Sequence, residues 1–274
     1  MLKKLPLLLC LVLLCSCSRV KLAYRFSDWM IASQAHKFLK LDHAQEKQMK
    51  ADIKAYMAWH RRNMLPAYAE ACKKLAKGLR GEEKPEENIP AILAMGDTLY
   101  AQTMRPMIGP TAGLLASLND AQIAHVKEVQ DKELAGQKTK YTETQKEDST
   151  KKNQKAYFKF LEEFTGKISQ EQRDKIIALP LRVTTEAWMA DKEKRNRELI
   201  ALLYERKGQP SLESFLASWW LRDRSKPDPT RMDPKEVQAY FVSFYGILDE
   251  SQRLRAAEKL EGFARDFEEL AATD

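Results

Sequence analysis

Residues 41–79 read LDHAQEKQMKADIKAYMAWHRRNMLPAYAEACKKLAKGL, and this stretch decides the fold class. Its apolar side chains recur every three or four residues, which is the spacing of one face of an α-helix. They are Met49, Ile53, Tyr56, Met57, Met64, Tyr68, Cys72, Leu75 and Leu79. Asp42 is a favoured capping residue for the helix start. Pro66 should kink the helix, and Gly78 and Gly81 should end it.

The rest of the chain has the same helical character. Glycine is scarce, with 10 residues in 274, and long stretches are rich in the good helix formers. No segment alternates between apolar and polar residues as a half-buried strand would. Helix starts are expected at Ser27, Asp42, Pro90, Asn119, Ser169, Ser211, Asp233 and Asp249. The helix from Ser169 should run to Gly208 with a kink at Pro180. The chain is therefore predicted to be all-α, an elongated bundle of about eight helices that forms a single domain over residues 17–274.

Residues 135–156 are too polar to assign from periodicity. They form either a solvent-exposed helix or a loop. Because the segment contains one glycine and no proline, the helix is favoured. An apolar face returns with Tyr157 and Phe158 before Gly166 breaks the helix.

A five-residue pattern, here called the Gln box, recurs four times. Its copies are Leu41-Asp42-x-x-Gln45, Leu118-Asn119-x-x-Gln122, Ile168-Ser169-x-x-Gln172 and Leu248-Asp249-x-x-Gln252. In each copy the capping side chain can accept from the N–H three residues later, while the Gln reaches back to the N–H of the cap. Four well-capped helices explain the pattern. Alternatively, it marks descent from a family that reuses the box, with two pseudo-equivalent halves that each contain a long pair of helices.

The first 17 residues have the pattern of a bacterial lipoprotein signal. Two lysines precede an apolar run over residues 5–14, which is too short to span a membrane. The LCSC sequence at residues 14–17 resembles the lipobox that guides lipoprotein processing. Residues 1–16 are therefore predicted to be a cleaved signal peptide, and Cys17 the lipid-bearing first residue of the mature protein. The alternative is a plain cleaved signal that leaves Cys17 as an ordinary thiol.

Lipidation at Cys17 would fix the location of the protein. Each buried methylene of a palmitate-like chain contributes about 0.8 kcal/mol to membrane binding. By resemblance to the sorting rule of enteric bacteria, a residue other than Asp after the lipidated Cys favours the outer membrane, and this residue is Ser18. The mature chain is therefore expected in the periplasm, anchored to the bacterial membrane, with the outer membrane favoured.

Charge and cysteine content limit the classes of partner. The formal net charge is +7, with basic and acidic residues interspersed, so nothing demands nucleic acid. A mild positive excess suits anionic lipid headgroups or acidic partners. Once the leader is removed and Cys17 is acylated, Cys72 is the one thiol left, which excludes an internal disulfide. Its place on an apolar stripe favours a buried, inert thiol over an intermolecular bridge.

Several motifs resemble those of known families. Tyr24-Arg25-x-x-Asp28-Trp29, Trp59-His60-Arg61, Leu65-Pro66-x-Tyr68 and the Gln boxes together are similar to an uncharacterised family of proteobacterial lipoproteins. The residues that carry this resemblance are Tyr24, Arg25, Trp29, Trp59, His60, Arg61 and Pro66. The family has no established activity, so the resemblance implies location and fold but no mechanism. The Gln boxes also resemble the Leu-Thr-x-x-Gln motif of small periplasmic stress chaperones, although no copy here has Thr.

Three polar residues interrupt stripes that are otherwise apolar. They are His60, Asp191 and Arg195. Asp191 and Arg195 are spaced i, i+4 on one predicted helix, and charges on a buried stripe need partners. We therefore expect them to form a buried ion pair, and our hypothesis places His60 near them. His60 is either a buried structural side chain or, alternatively, a ligand or proton carrier.

No catalytic, metal or cofactor site is predicted. The sequence has no serine elbow, phosphate loop or dinucleotide fingerprint. His36 and His43 lie seven residues apart with a helix break between them, and no Cys or His pair has zinc spacing. The aromatic set is expected to be core, and any exposed part would mark a protein-docking or lipid-contacting patch. This set is Trp219, Trp220, Tyr240, Phe241, Phe244 and Tyr245.

These observations favour a lipid-anchored, non-enzymatic binding or chaperone-like protein of the periplasm. Its partners would be the membrane, through Cys17, and protein clients or other envelope proteins. The alternative is an envelope hydrolase that acts on cell-wall or lipid substrates with buried carboxylates and His60. The sequence does not indicate a client, a substrate or an oligomeric state.

Overall fold

The computed structural model is all-α, which confirms the predicted fold class. It describes residues 19–144, 147–180, 185–222, 228, 230–231 and 233–273. The described residues are 86 % helical, and no strand occurs among them. The predicted signal peptide and Cys17 lie outside the described residues. Within them, no helix has both the length and the apolar character needed to cross a bilayer.

The helices are more numerous than the eight predicted, because several predicted helices are divided. They are α1 Arg19–Arg25, α2 Ser27–Phe38, α3 His43–Leu79, α4 Pro85–Met104, α5 Ile108–Ala116, α6 Asp120–Thr144, α7 Glu147–Thr165, α8 Gln170–Ile177, α9 Thr185–Tyr204, α10 Gln209–Trp220, α11 Pro234–Ile247 and α12 Glu250–Ala271. A 3-10 turn, Arg105–Met107, joins α4 to α5.

An antiparallel pair of helices, α3 and α12, forms the spine of the molecule. This pair has the most extensive helix–helix contact among the described elements. Arg61 near the middle of α3 donates to the carbonyl of Thr273, whereas Arg80 at the end of α3 binds Glu261 at 2.9 Å. With 37 residues, α3 is about 55 Å long at 1.5 Å per residue. The spine therefore sets the long dimension of the fold.

Small side chains allow the spine helices to approach closely. The fully buried alanines of this interface include Ala69, Ala76, Ala257 and Ala264. The separation of two packed helices depends on the side chains between them, and alanine allows the shortest separations. The bulkier residues of α12, among them Phe263 and Phe267, are only half-buried.

The remaining helices pack around the spine. After a turn at Gly81, where φ is +79°, α4 returns along α3, and α11 packs on α4. The main hydrophobic core lies among α5, α6, α9 and α10. Its most buried members are Ala112, Leu118, Ile123, Val126, Leu203 and Leu216. Trp219 and Trp220 pack against this core, whereas Phe241 on α11 is exposed, so the prediction that the whole aromatic set is core was wrong for Phe241.

The Gln boxes contact one another in pairs. In the first pair, the Gln45 side chain donates to Gln122 Oε1 at 3.2 Å, and Gln122 donates to Gln45 Oε1 at 2.7 Å. Each amide also donates to a backbone carbonyl five residues before its partner, Ser117 for Gln45 and Lys40 for Gln122. The first pair therefore joins the start of α3 to the start of α6.

The second pair repeats this geometry at the starts of α8 and α12. The Gln172 side chain donates to Gln252 Oε1 at 2.7 Å, and Gln252 donates to Gln172 Oε1 at 3.0 Å. The carbonyls of Ile247 and Lys167 take the places of Ser117 and Lys40. Two equivalent box pairs exist, as the prediction of two halves requires. However, the second half is not a pair of long helices, because α8 has only 8 residues.

Several predicted boundaries were wrong. The helix from Ser169 to Gly208 is divided into α8 and α9, since α8 ends at Ile177. The helix predicted to begin at Pro90 begins at Pro85, because proline needs no N–H partner in the first turn. For the same reason α10 begins at Gln209, before Pro210, and not after Ser211.

One expectation about α2 also differs from the structure. Ser27 does not cap α2: its hydroxyl donates to the carbonyl of Tyr24 at 2.6 Å. Pro66 lies inside α3, which ends at Leu79, as predicted. The neighbouring side chains of Met64, Leu65 and Ala69 are buried, and their burial offsets the backbone hydrogen bond that proline cannot make.

The polar segment is helical, as favoured from its composition. α6 continues to Thr144, and α7 begins at Glu147. Residues 145–146 lie outside the described residues. Polar contacts to α9 support this part of the fold, for example Lys138 with Glu193 at 3.0 Å and Gln137 with Lys192 at 2.9 Å. The segment is therefore mostly a solvated helix, and the alternative of a loop was wrong.

Candidate functional site

A cavity of about 890 Å³ lies where α1 and α2 meet the middle of α3 and the end of α12. The motif segment after the lipobox lines one wall through Tyr24, Arg25 and Trp29, and α3 lines the other. Its basic lining residues are Arg25, Lys50, Lys54, Arg61 and Arg62. Apolar contact surface comes from Ile53 and Met57. We call this the N-terminal cavity.

The charge of the N-terminal cavity is strongly unbalanced. Asp28 is the one acidic lining residue among those described, and its Oδ1 accepts from the Trp29 N–H at 2.8 Å. Lys50 pairs with Glu46 at 2.6 Å. Arg25 and Lys54 make no ion pair with any described residue and are exposed. The cavity therefore presents a net positive field to a ligand.

Contacts hold the Arg61 side chain in place, but one of its N–H donors has no hydrogen-bond partner among the described residues. Its Nη1 donates to the carbonyl of Thr273 at 3.1 Å, and its guanidinium lies 5.7 Å from the centre of the Tyr24 ring. Its Nε is buried and has no hydrogen-bond partner among the described residues. A buried donor without a partner costs about 1–3 kcal/mol. An acceptor on a ligand or a water molecule would remove this cost.

Behind the cavity wall, three tyrosines surround His60. The ring centres of Tyr24, Tyr56 and Tyr68 lie 5.5–5.8 Å from the His60 ring. The Tyr24 hydroxyl is 3.2 Å from His60 Nδ1. The Tyr56 hydroxyl donates to the carbonyl of Thr103 at 3.2 Å, so the tyrosines join α1, α3 and α4. We call this group the tyrosine box.

Burial determines the protonation of the tyrosine box. It lowers the pKa of His60, which keeps the imidazole neutral near pH 7. Burial also raises the pKa of Tyr24, and it raises the pKa of Tyr56 to about 12. The box is therefore uncharged, and it supports the cavity wall next to the Arg61 cation.

Asp191 and Arg195 lie in a separate polar cluster. The structure places them in an ion pair, with Arg195 Nε 3.0 Å from Asp191 Oδ2. Arg222 also binds Asp191, and it binds Asp228 at 3.1 Å. Burial opposes ionisation of Asp191, but Arg222 and Arg195 outweigh it and hold the pKa of Asp191 below its usual value.

Asp228 completes this cluster and is strongly acidic. Burial alone would raise its pKa, but hydrogen bonds from Thr230 and the Arg222 cation lower the pKa of Asp228 to about 2. All described side-chain partners of Asp191 are arginines. The placement of His60 with Asp191 and Arg195 was therefore wrong, because the side-chain contacts of His60 are to tyrosines.

The motif residues thus fall into three groups. Tyr24, Arg25, Trp29 and Arg61 line the N-terminal cavity, and His60 lies in the tyrosine box. Trp59 contacts Tyr56 at a ring distance of 5.9 Å, whereas Pro66 is exposed. The basic residues of α3 were missed as a set. Three of them, at positions 50, 54 and 61, share one helical face, which is the signal that could have identified them.

Two apolar cavities lie elsewhere. One of about 400 Å³ lies near the main core and is lined by Phe38, Met49, Trp219 and Trp220 among others. The second, of about 270 Å³, lies between α3, α4 and α11 and includes Phe241 and Tyr245. Asp52 also lines the first of these cavities, and its Oδ1 accepts from Gln48 at 2.9 Å. Within the described ranges, no cluster of three or more His, Cys, Asp or Glu could hold a metal ion.

Comparison with known proteins gives one family match. The model of a family of unknown function, DUF6279, matches residues 37–225. The match covers most of the chain, but it begins after α1 and so does not include Tyr24, Arg25 or Trp29. No curated protein and no solved structure matches the chain.

Proposed function

Because the chain belongs to DUF6279, a family of unknown function, we propose a role from its own geometry: it is a non-enzymatic binding protein of the bacterial envelope. In this proposal residues 1–16 are removed, and lipid on Cys17 anchors the chain in the periplasm, with the outer membrane favoured. The N-terminal cavity is the binding site. Its ligand carries a negatively charged group and an apolar part.

The unbalanced charge of the N-terminal cavity carries this proposal. A volume of about 890 Å³ falls in the range of about 300–1,000 Å³ that is usual for small-ligand sites. Lys54 and Arg25 offer cations without carboxylate partners in the described chain, and Arg61 offers a buried N–H donor. Ile53 and Met57 supply the apolar contact. Phosphate-bearing amphiphiles match both features.

The hydrolase alternative receives no support from the position of His60. A general base or acid must lie within hydrogen-bond reach of the reacting group, and a catalytic His is usually oriented by a carboxylate. The described partner of His60 Nδ1 is the Tyr24 hydroxyl. The carboxylate of Asp191 is already neutralised by two arginines.

A chaperone-like form of the proposal rests on a different observation, the apolar cavities. The cavity of about 400 Å³ near the main core could accept apolar side chains of an unfolding client. Suppression of client aggregation by the full-length protein would support this form. Aggregation at the rate seen without the protein, for several clients, would remove it and leave the small-ligand form.

Native mass spectrometry of the full-length chain tests the binding site. The protein is purified from membranes in a neutral detergent and titrated with phosphatidylglycerol, or with phosphatidylcholine as the zwitterionic comparison. We expect phosphatidylglycerol to bind preferentially. Lys54→Glu should weaken its binding about ten-fold, as expected for loss of one charged contact.

Lys47→Glu is the matched control. Lys47 is also an exposed lysine on α3, but it does not line the cavity, so this variant should bind like the wild type. Equal binding of the two lipids, or equal effects of the two substitutions, would contradict the proposed site. The mass of the purified protein tests the anchor, because it should begin at an acylated Cys17. An unmodified residue 17 would remove the anchor but not the cavity.

A further inference from the structure

A cluster of exposed apolar side chains lies at the start of the described chain. Trp29 is 64 % exposed, and Leu22, Phe26 and Met30 are also exposed. Four large apolar residues within nine positions form a patch and not a scatter of single residues, and such patches mark interaction surfaces. Leu22 lies on α1, Phe26 at the turn, and Trp29 and Met30 on α2, so the four residues lie around the junction of these two helices. We call them the N-terminal patch.

The N-terminal patch is presented by a supported part of the fold. α1 packs on α12, where Lys21 forms ion pairs with Asp266, at 3.5 Å, and with Glu269. α2 packs on α3 and α6. Backbone hydrogen bonds continue on both sides of the turn at Phe26, whose carbonyl accepts from the Met30 N–H at 2.9 Å. The helices that carry the patch are therefore packed against the rest of the fold.

Cations adjoin the patch on the side of the N-terminal cavity. Arg25 lies within the patch segment, and Lys54 and Arg62 line the same cavity as Trp29. All three are exposed, and Asp28 is the acidic residue between Arg25 and Trp29. Tryptophan next to exposed basic residues is characteristic of surfaces at the headgroup level of a bilayer.

We infer that the N-terminal patch, with Arg25, Lys54 and Arg62, is a membrane-contact surface that inserts into the headgroup layer of an anionic bilayer. Two observations favour a bilayer over a protein partner. The surrounding charge complements lipid phosphates. In addition, Cys17 precedes α1 by two residues, so the anchor of the proposed function would hold the patch against the lipid surface.

This inference goes beyond the proposed function because it adds a contact made by side chains. Since Trp29 of the patch and the adjoining Arg25 both line the cavity, the N-terminal cavity would open at the level of the headgroups. An amphiphilic ligand could then pass between bilayer and cavity without crossing water. The contact rests on the proposed location, but its test does not depend on ligand binding.

Quenching of Trp29 fluorescence by lipid tests the contact. The full-length protein is reconstituted in vesicles of phosphatidylcholine, with or without phosphatidylglycerol, whose acyl chains carry bromine. The signal of Trp29 is the difference between the wild type and Trp29→Phe. We expect bromine to quench the Trp29 signal when phosphatidylglycerol is present. We also expect acrylamide, which is dissolved in the water, to quench the Trp29 signal less in these vesicles than in detergent-free protein without vesicles.

A separate variant tests the contribution of the basic residues to the membrane-contact surface. Arg25→Glu places an acid where a cation faces lipid phosphates. Each cation near an anionic surface changes partitioning about five-fold, so this variant should lose most of the bromine quenching that phosphatidylglycerol induces. Quenching that is the same with and without phosphatidylglycerol would overturn the anionic specificity.

Leu22→Asp and Ile177→Asp form a matched pair for the apolar part. The two side chains have similar exposure, 44 % and 49 %, but Ile177 lies at the end of α8, far along the chain from the patch. Leu22→Asp should lose the bromine quenching and Ile177→Asp should keep it. Thermal unfolding of both variants is measured first, and a Leu22→Asp protein that does not fold is replaced by Met30→Ser.

The remaining outcomes also decide the inference. Bromine quenching that is absent in all vesicles overturns it, even when phosphatidylglycerol binds to the cavity in mass spectrometry. Protection of Trp29 from acrylamide without bromine quenching also overturns it, because a protein and not lipid then covers the patch. Bromine quenching without lipid binding in mass spectrometry supports the surface and contradicts the cavity proposal. The two proposals can therefore fail separately.

Discussion

At the residue scale, burial decides what each side chain can do. His60 sits among three tyrosines and is uncharged, whereas Arg61, its neighbour in sequence, lines a cavity with an unpaired Nε. Adjacent residues of a helix point about 100° apart, so His60 lies in the tyrosine box while Arg61 lines the cavity. The chemistry of the site therefore depends on which side of α3 each residue occupies.

We expect the stability of the protein to fall as the pH drops below about 6.5, in part through His60. Burial lowers the pKa of His60 in the folded state. As the pH falls through about 6.5, the unfolded chain binds a proton that the folded chain does not. The stabilisation is therefore complete above this pH and is lost progressively until the folded-state pKa is reached.

Urea unfolding of the wild type and His60→Gln across this pH range measures the effect. The substituted protein should show a smaller loss of stability on acidification. His43→Gln, at the exposed start of α3, is the control and should keep the wild-type slope. An unchanged slope in His60→Gln would show that His60 is not the titrating group.

Gly78 gives a second test at this scale. It is buried in α3, and a Cβ there would lie 2.5 Å from Oδ1 of the buried Asn88. Gly78→Ala should therefore destabilise the protein by about 1–3 kcal/mol, as overpacking does. Gly96 in α4 has nothing within 4 Å of the equivalent position, so Gly96→Ala should stabilise by up to about 1 kcal/mol. Free energies of unfolding in urea would show these opposite signs, and equal effects would refute the assigned contact.

At the element scale, the Gln boxes do more than start helices. The sequence predicted that each Gln would reach back to its own cap, and it does so in all four boxes, at Asp42, Asn119, Ser169 and Asp249. The same Gln side chain also binds a second box and a backbone carbonyl across the fold. Local capping rules cannot predict this pairing, because the partner lies 77 or 80 residues away.

A double-mutant cycle tests the coupling within a pair. Gln122→Leu should cost about 1–3 kcal/mol, because it removes the side-chain partner of the Lys40 carbonyl and of the Asn119 N–H and breaks the amide pair with Gln45. The combination with Gln45→Leu should cost less than the sum, with a coupling of about 0.5–3 kcal/mol. The combination with Gln252→Leu, from the other pair, should be additive within about 0.5 kcal/mol. Additivity in both combinations would mean that the amide pair adds no stability.

At the scale of the whole molecule, the spine connects these features. One box pair lies at the start of α3 and the other at the start of α12, and the two helices are antiparallel. The box pairs therefore lie toward opposite ends of the molecule. The N-terminal cavity lies beside the spine where α12 ends, and the segment that follows Cys17 forms one of its walls.

The sequence by itself determined the helical class, the long helix after Asp42 and the positions of the four boxes. These are local properties, since apolar periodicity and capping depend on residues within one or two turns. It also identified Tyr24, Trp29, His60 and Arg61 as a group, but it assigned His60 to the wrong cluster. Periodicity predicts that a side chain is buried, but it does not predict which other side chains it packs against.

Only the tertiary structure decided how the helices divide, which boxes pair and which cations share a cavity. Pro85 and Pro210, which a local reading placed outside the helices, lie in the first turns of α4 and α10, where the missing N–H makes them acceptable. The ion pair of Asp191 was extended by Arg222, 31 residues further along the chain. Contacts of this kind depend on the relative placement of whole helices, which is set by the summed burial of many side chains and not by any local pattern.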